Sequence, residues 1–279
     1  MPRNTYFFND NLLNSGNKFK FPLLLSFIPP HLSKFAAMWS ICKKELRQFF
    51  SSLTGYIAII IFLLLNGLFL FVFNKLNILD DGYATLDHFF ELAPWILLLL
   101  VPAVTMRLLS DEFKSGTIEL LKTRPLSSWQ ILTGKFAAAL IVIIIAIVPT
   151  FIYIVSLKSL AAAGTSLDAG GITGSYIGLF FLCSAFTAIG LCCSSLTNNA
   201  VVAFLLSAFA CFVLYFGFSS LSQLPQLKAG ADYYIEKIGI DFHYQSISRG
   251  VIDSRDIVYF ISVVFLFLLF TQKRLANKH

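Results

Sequence analysis

Residue types able to do chemistry are few in this chain, and they are unevenly placed. Arg107, Asp111, Glu112, Lys114, Glu119, Lys122, Arg124 and Lys135 lie in or beside "SDEFKSGTIELLKTRPLSSWQ", Ser110–Gln130, between two strongly apolar stretches. Mixed charges at that density suit a docking surface or a solvated linker, and they assemble no nucleophile–base pair. The nearby "LTGKF", Leu132–Phe136, lacks the first glycine and the hydroxyl residue of a phosphate-cradling G-x-x-x-x-G-K-[ST] loop. His31, His88, His243 and His279 all fall in expected loops or tails. The five cysteines have no zinc-like spacing, and Cys183, Cys192, Cys193 and Cys211 sit inside apolar runs, so they read as small packing residues. Neither a metal site nor a cofactor site is expected in the chain.

The elements that position these residues follow from the solvent. Hydrophobic residues make up 57% of the chain and charged residues 13%, against about half and a quarter in soluble domains. The excess is concentrated in long runs, as in membrane proteins. Roughly 20 apolar residues cross a bilayer core of about 30 Å. Six segments approach that length: Tyr56–Phe73, Leu92–Met106, Phe136–Leu157, Thr173–Leu196, Ala200–Phe218 and Ile257–Phe270. The expected fold is therefore all-α and polytopic. The second and sixth segments are short and would have to thin the bilayer, recruit flanking residues or sit deep among neighbouring helices. Pro94, Pro102 and Pro149 are expected to kink their helices. No ionisable residue sits at depth, which argues against ion relay or catalysis within the bilayer.

Lys and Arg set the orientation. With both termini inside, the inner segments hold 15 of the 21 bases and the outer ones Lys75, Lys158, Lys228, Lys237, Arg249 and Arg255. That asymmetry places both ends in the cytoplasm of an inner-membrane protein. The net charge of +6 thus reads as topology rather than nucleic-acid binding, since no basic cluster is interleaved with aromatics. Residues 1–37, where prolines break the one apolar run, read as a disordered tail, or as sequence upstream of a true start at Met38. Residues 38–279 form a single domain. In "WSICKKELRQFFSSL" Trp39, Cys42, Leu46, Phe49 and Leu53 recur at helical spacing opposite Lys43, Lys44, Arg47 and Gln48. This is an interfacial helix with its basic face toward anionic headgroups.

Other signals punctuate the chain. Ser127 and Gln130 form a capping box that starts the third span, and Leu126 and Ile131 stand at its stapling positions. Between Gly116 and Pro125, "TIELLKT" has about two turns of helix, too few to be stable unless packed against something. The fourth span carries small residues, Gly174, Gly178, Ala185 and Ala188, near one face; they fit close packing within the subunit better than a subunit interface.

Glu112, Gly116-Thr117, Glu119-Leu120-Leu121, Pro125, Leu132 and Gly134-Lys135 together resemble a pattern of type-2 ABC exporter permeases. The resemblance covers Met38 to the C-terminus. It implies that the segment between spans two and three is a coupling helix docking on a separate ATP-hydrolysing subunit. Glu112, Gly116, Thr117, Glu119, Leu120, Leu121 and Pro125 would be the docking residues, and Trp39, Lys43, Lys44 and Arg47 would belong to the interfacial connecting helix. ATP and Mg would sit on that partner ATPase. The transport pathway would need two permeases, as a homo- or heterodimer, and short helices would dip in from outside between spans five and six. "FHYQSISRGVIDSRDIVYF", Phe242–Phe260, is similar to the corresponding stretch of gliding-motility-associated permeases, which act with an ATPase and a larger auxiliary-domain membrane subunit. The same fold would also serve another cargo (a drug, a lipid-linked glycan, a metal-maturation factor) or a mechanotransmitting scaffold that moves nothing.

Overall fold

The computed structural model describes residues 30–73, 85–118, 127–161, 168–224 and 232–277, with side chains from Ala36 onward. The chain divides into two compact units, Met1–Ala36 and Ala37–His279. Apart from residues 30–36, about two turns at the start of the first helix, the former lies outside the described residues, and with it the tail reading and the choice of start. The spanning helices all belong to the second unit.

Six helices are long and apolar enough to cross a membrane, and the described residues contain no strand. Helix α1 (Pro30–Ser51) precedes span one, α2 (Leu53–Phe71). Span two is α3 (Asp87–Thr105) continued by α4 (Arg107–Ser115). Span three is α5 (Ser128–Ile147), a 3-10 turn at Val148–Thr150, and α6 (Phe151–Leu160). Span four is the unbroken α7 (Ala169–Leu196). Span five joins α8 (Ala200–Phe212) to α9 (Phe218–Ser222) through a π turn at Val213–Gly217. Two short helices, α10 (Asp232–Glu236) and α11 (Ile240–Ser248), lead to span six, α12 (Ser254–Asn277).

The two short apolar segments do recruit flanking residues. Spans two and six run 29 and 24 residues, because polar flanking turns continue the helix past the apolar core. Apolar runs mark the hydrocarbon, whereas helices end where caps or glycines stop them. Pro149 tightens its helix into the 3-10 turn, since proline supplies no amide for the α ladder. Pro94 and Pro102 lie inside α3 without breaking it.

Span four is the hub. It touches α3, α4, α5, α8, α11 and α12, and 78% of its apolar window is buried, against 22% for spans one, five and six. Glycine and alanine make this central position possible. A Cβ on Gly174 would lie 2.7 Å from the Gly250 Cα and 2.8 Å from the Ile247 carbonyl, so α11 and the turn after it rest directly on its backbone. Gly178 receives Ile247 and Tyr244 at ordinary contact distance, Gly190 faces Thr105 of span two, and Ala185 and Ala188 are fully buried. Small side chains let backbones approach where water-driven packing is absent.

Two histidines are not in loops. His88 opens α3, and His243 is buried in α11. The buried positions Ile240, His243, Tyr244 and Ile247 recur at helical spacing and carry α11 inward. The Tyr244 hydroxyl donates to the Phe90 carbonyl (2.7 Å) and the Ser175 hydroxyl to that of Ser248 (2.9 Å), tying this helix to spans two and four.

A candidate coupling site around Lys135

At the other end of span two the chain buries a charge. Phe90 and Glu112 are 22 residues apart, about 33 Å of helix at 1.5 Å per residue. Lys135, in the second turn of α5, has no exposed surface. Its ammonium lies 2.9 Å from Glu45 Oε1 of α1 and 2.8 Å from Glu112 Oε1 of α4, and it donates to the Leu108 carbonyl at 2.7 Å. Its hydrogen bonds run to Glu45 Oε1 and the Leu108 carbonyl, and Glu112 Oε1 completes the set as an ion pair. Lys44 stands outside the same carboxylates, 3.1 Å from Glu112 Oε1 and 3.5 Å from Glu45 Oε1. Two cations and two anions therefore close a neutral cluster across three separate elements.

Local sequence explains how the elements meet. The α5 N-terminus is fixed by its capping box: Ser127 Oγ accepts from the Gln130 amide (3.3 Å), and Gln130 Oε1 accepts from the Ser127 amide (2.8 Å). Leu126 of the expected staple lies outside the described residues. Gly134 admits α1, because a Cβ there would stand 2.9 Å from the Met38 carbonyl and 3.0 Å from Ile41 Cβ. Lys135 follows directly and reaches the carboxylates that this approach brings in. α4 enters through a broken junction: Ser194 of span four accepts from the Leu109 and Ser110 amides (3.2 and 3.1 Å) and donates to the Met106 carbonyl (2.9 Å). A hydroxyl that captures two amides draws them off the i−4 ladder, and α3 gives way to α4 at Met106. α4 ends at Gly116, whose φ of +68° makes the left-handed stop that glycine adopts without strain.

The electrostatics follow from burial. Desolvation alone would lower the Lys44 ammonium, but Glu45 and Glu112 outweigh it and hold it above its ordinary value. Burial, with repulsion from Glu45, raises the Cys42 thiol, so this cysteine is a packing residue rather than a nucleophile. Glu112 Oε2 is buried without a hydrogen-bond partner. Desolvating such ions costs several kcal/mol each, which their mutual attraction largely offsets. The cluster therefore specifies an arrangement more than it stabilises one.

The expected site residues divide. Glu112 is in the cluster, Gly116 ends α4, and Thr117 is exposed with its hydroxyl 2.9 Å from that of Ser115. Glu119, Leu120, Leu121 and Pro125 lie outside the described residues. The helix that contains Trp39, Lys43, Lys44 and Arg47 begins at Pro30, well before Trp39, and its buried face is rotated from the expected one. Ile41, Cys42 and Glu45 are covered, Trp39 is 42% exposed with Lys43 over its ring, and Leu53 belongs to α2 and is exposed. Packing against Gly134, rather than the apolar stripe, chose the face. Sequence reading missed Glu45 and Ser194. Glu45 did leave a signal, being the lone acid between Asp10 and Asp80 in an otherwise basic helix.

A second polar cluster holds the opposite end. His243 Nδ1 lies 2.6 Å from Asp256 Oδ1 and Nε2 lies 2.9 Å from the Lys237 carbonyl, with the ring stacked 3.8 Å from that of Tyr259. The Asp256 contact joins α11 to span six, and the Lys237 carbonyl holds the other ring nitrogen. Among the described residues no three His, Cys, Asp or Glu side chains converge as metal ligands would.

The sequence decides what kind of protein carries this arrangement: a family model described as ABC-2 family transporter protein matches residues 39–272. The chain belongs to the ABC-2 transporter family. No curated protein matches it significantly. As an ABC-2 family member with six spanning helices, it is a multi-pass membrane transport subunit and not itself a catalyst. The matched region starts at Trp39, inside α1, and takes in every element of the Lys135 cluster.

Proposed function

We propose that this ABC-2 protein is the permease of an ATP-driven exporter. A separate ATPase grips the segment from Glu112 to Pro125 on the cytoplasmic side, and the Lys135 cluster carries the movement to α1 and span three. The observation that supports this reading is the cluster itself. α4, which leads straight into that segment, is bonded through one buried ammonium to two other elements. A pull on α4 therefore cannot leave α1 and α5 behind without unpairing charges in a low-dielectric site, so the stroke moves the three together. Closure of the ATPases shifts the permease only if the docked segment binds them differently in the two states. Two permeases, identical or not, would frame the pathway.

The finer identity rests on Phe242–Phe260, which favours the gliding-motility-associated type, with its ATPase and auxiliary-domain subunit. Docking is tested by co-purification: Glu119→Lys with Leu121→Asp should abolish recovery of the ATPase while membrane insertion is kept. Full recovery would sink the docking assignment. Labelling of a cysteine placed at Thr117 from the periplasmic side of intact cells would invert the topology and end the proposal.

A further inference from the structure

Beside the Lys135 cluster, a cavity of about 190 Å³ opens between α1, the start of span one and the α3–α4 junction. Its walls change character over a short distance. Phe49, Ala58 and Val104 supply apolar surface, while Gln48, Arg107 and Asp111 supply polar groups. Ala58 lies in the second turn of α2 and Val104 in the last turn of α3, so the cavity sits where these two spanning helices end.

Arg107 and Asp111 stand one turn apart on α4, the spacing at which opposite charges pair, and both line the cavity. Among the described residues neither has an ion-pair partner within 4.0 Å, although Lys44, Glu45, Glu112 and Lys135 close by form ion pairs with one another. Two opposite charges left unpaired along one wall of an amphipathic cavity match an occupant that carries both. A simple anion at Arg107 would face the Asp111 and Glu45 carboxylates, and a simple cation would meet the guanidinium. Ser52 and Thr54, also in the lining, share one hydrogen bond of 2.5 Å between their hydroxyls. One hydroxyl proton remains free to donate to an oxyanion.

We propose that the cavity binds the headgroup of a zwitterionic aminophospholipid from the adjoining leaflet. Arg107 and the Ser52–Thr54 hydroxyls take the phosphate, Asp111 takes the primary ammonium, and the acyl chains run along Ala58 and Val104 between spans one and two. Arginine matches phosphate oxygens in a planar fork, and a primary ammonium gives Asp111 N–H donors that a quaternary one lacks. The bound lipid would wedge α1 against the Met106 junction, a role independent of ATPase docking.

The test is extraction of the full-length protein from equimolar phosphatidylethanolamine and phosphatidylglycerol, with retained lipid quantified by mass spectrometry. Wild type should retain ethanolamine lipid in about tenfold excess, the factor that corresponds to 1.4 kcal/mol. Phosphatidylcholine substituted for the ethanolamine lipid should lose that preference. Asp111→Asn should hold phospholipid but equalise the two headgroups, and Arg107→Gln should lose the tightly held lipid. Arg107 is exposed and Asp111 half-buried on α4, and Lys273→Gln, on the exposed end of α12 and outside the cavity, is the control that should behave as wild type. A wild-type ratio equal to the bulk mixture overturns the proposal, as do variants that keep the wild-type pattern. Displacement of the lipid by millimolar inorganic phosphate would make this a simple anion site and overturn it equally. Each of these failures would leave ATPase co-purification, and the docking reading, untouched.

Discussion

Lys135→Met separates a cluster that positions elements from one that merely fills space. The substitution keeps length and apolar volume but removes three interactions: 2.9 Å to Glu45, 2.8 Å to Glu112 and 2.7 Å to the Leu108 carbonyl. Two carboxylates, 7% and 8% exposed as residues, are then left facing each other. Removing one partner of a buried ion pair costs about 3–5 kcal/mol, because the remaining charge stays desolvated. Lys44 is still in place, but its side chain is 53% exposed, and a pair of that kind returns at most about 1 kcal/mol. The expected loss is therefore in the lower half of that range, about 3–4 kcal/mol. Denaturant titration in lipid–detergent micelles, followed by tryptophan fluorescence, measures it. The decisive arm is Lys135→Met combined with Glu45→Gln and Glu112→Gln. A neutral cluster of similar volume should recover most of the stability, yet lose the stimulation of transport-coupled ATP hydrolysis, because α4 is no longer bound ionically to α1 and α5. A loss under about 1 kcal/mol for the single variant, or a triple variant no more stable than it, would refute the reasoning.

Three further outcomes follow from the geometry. Gly174→Ala should destabilise by about 1–3 kcal/mol, because the new methyl meets backbone atoms that cannot move aside. Gly178→Ala, whose methyl would find contacts at 3.4–3.5 Å, should be neutral or gain up to about 1 kcal/mol of helix propensity; equal effects at the two sites would contradict the packing described. Ser194→Ala strands the Leu109 and Ser110 amides and should cost about 1–3 kcal/mol, with faster hydrogen exchange confined to the α3–α4 junction. Burial raises the Asp241 carboxyl above its ordinary value, against hydrogen bonds from Gln245 and Tyr215 that lower it, and with Glu91 raising it further. A raised native value means the folded state holds the proton more tightly, so this contribution is complete below the unfolded value of about 3.9 and is lost as pH rises through the native one. Asp241→Asn should flatten that fall in the unfolding midpoint, and an unchanged slope would show that Asp241 is not its source.

Much of this molecule was legible in one dimension because a bilayer punishes deviation. Each spanning segment must satisfy its own backbone and stay apolar, so six helices, their order and the all-α class follow from the runs themselves. The Ser127–Gln130 capping box was equally local, and it forms as the spacing requires. Tertiary structure alone decided what depends on two elements meeting. Lys135 reads as a charge at the margin of a span until Gly134 lets α1 within reach, and only then does Glu45, an acid in a basic helix, become its partner. The same contact rotated the covered face of α1 away from Trp39, and the packing of α11 onto Gly174 turned His243 from a loop residue into a buried one. Periodicity and polarity along a helix are set by its own residues, but which face is covered, and which charge is neutralised, depends on the neighbour.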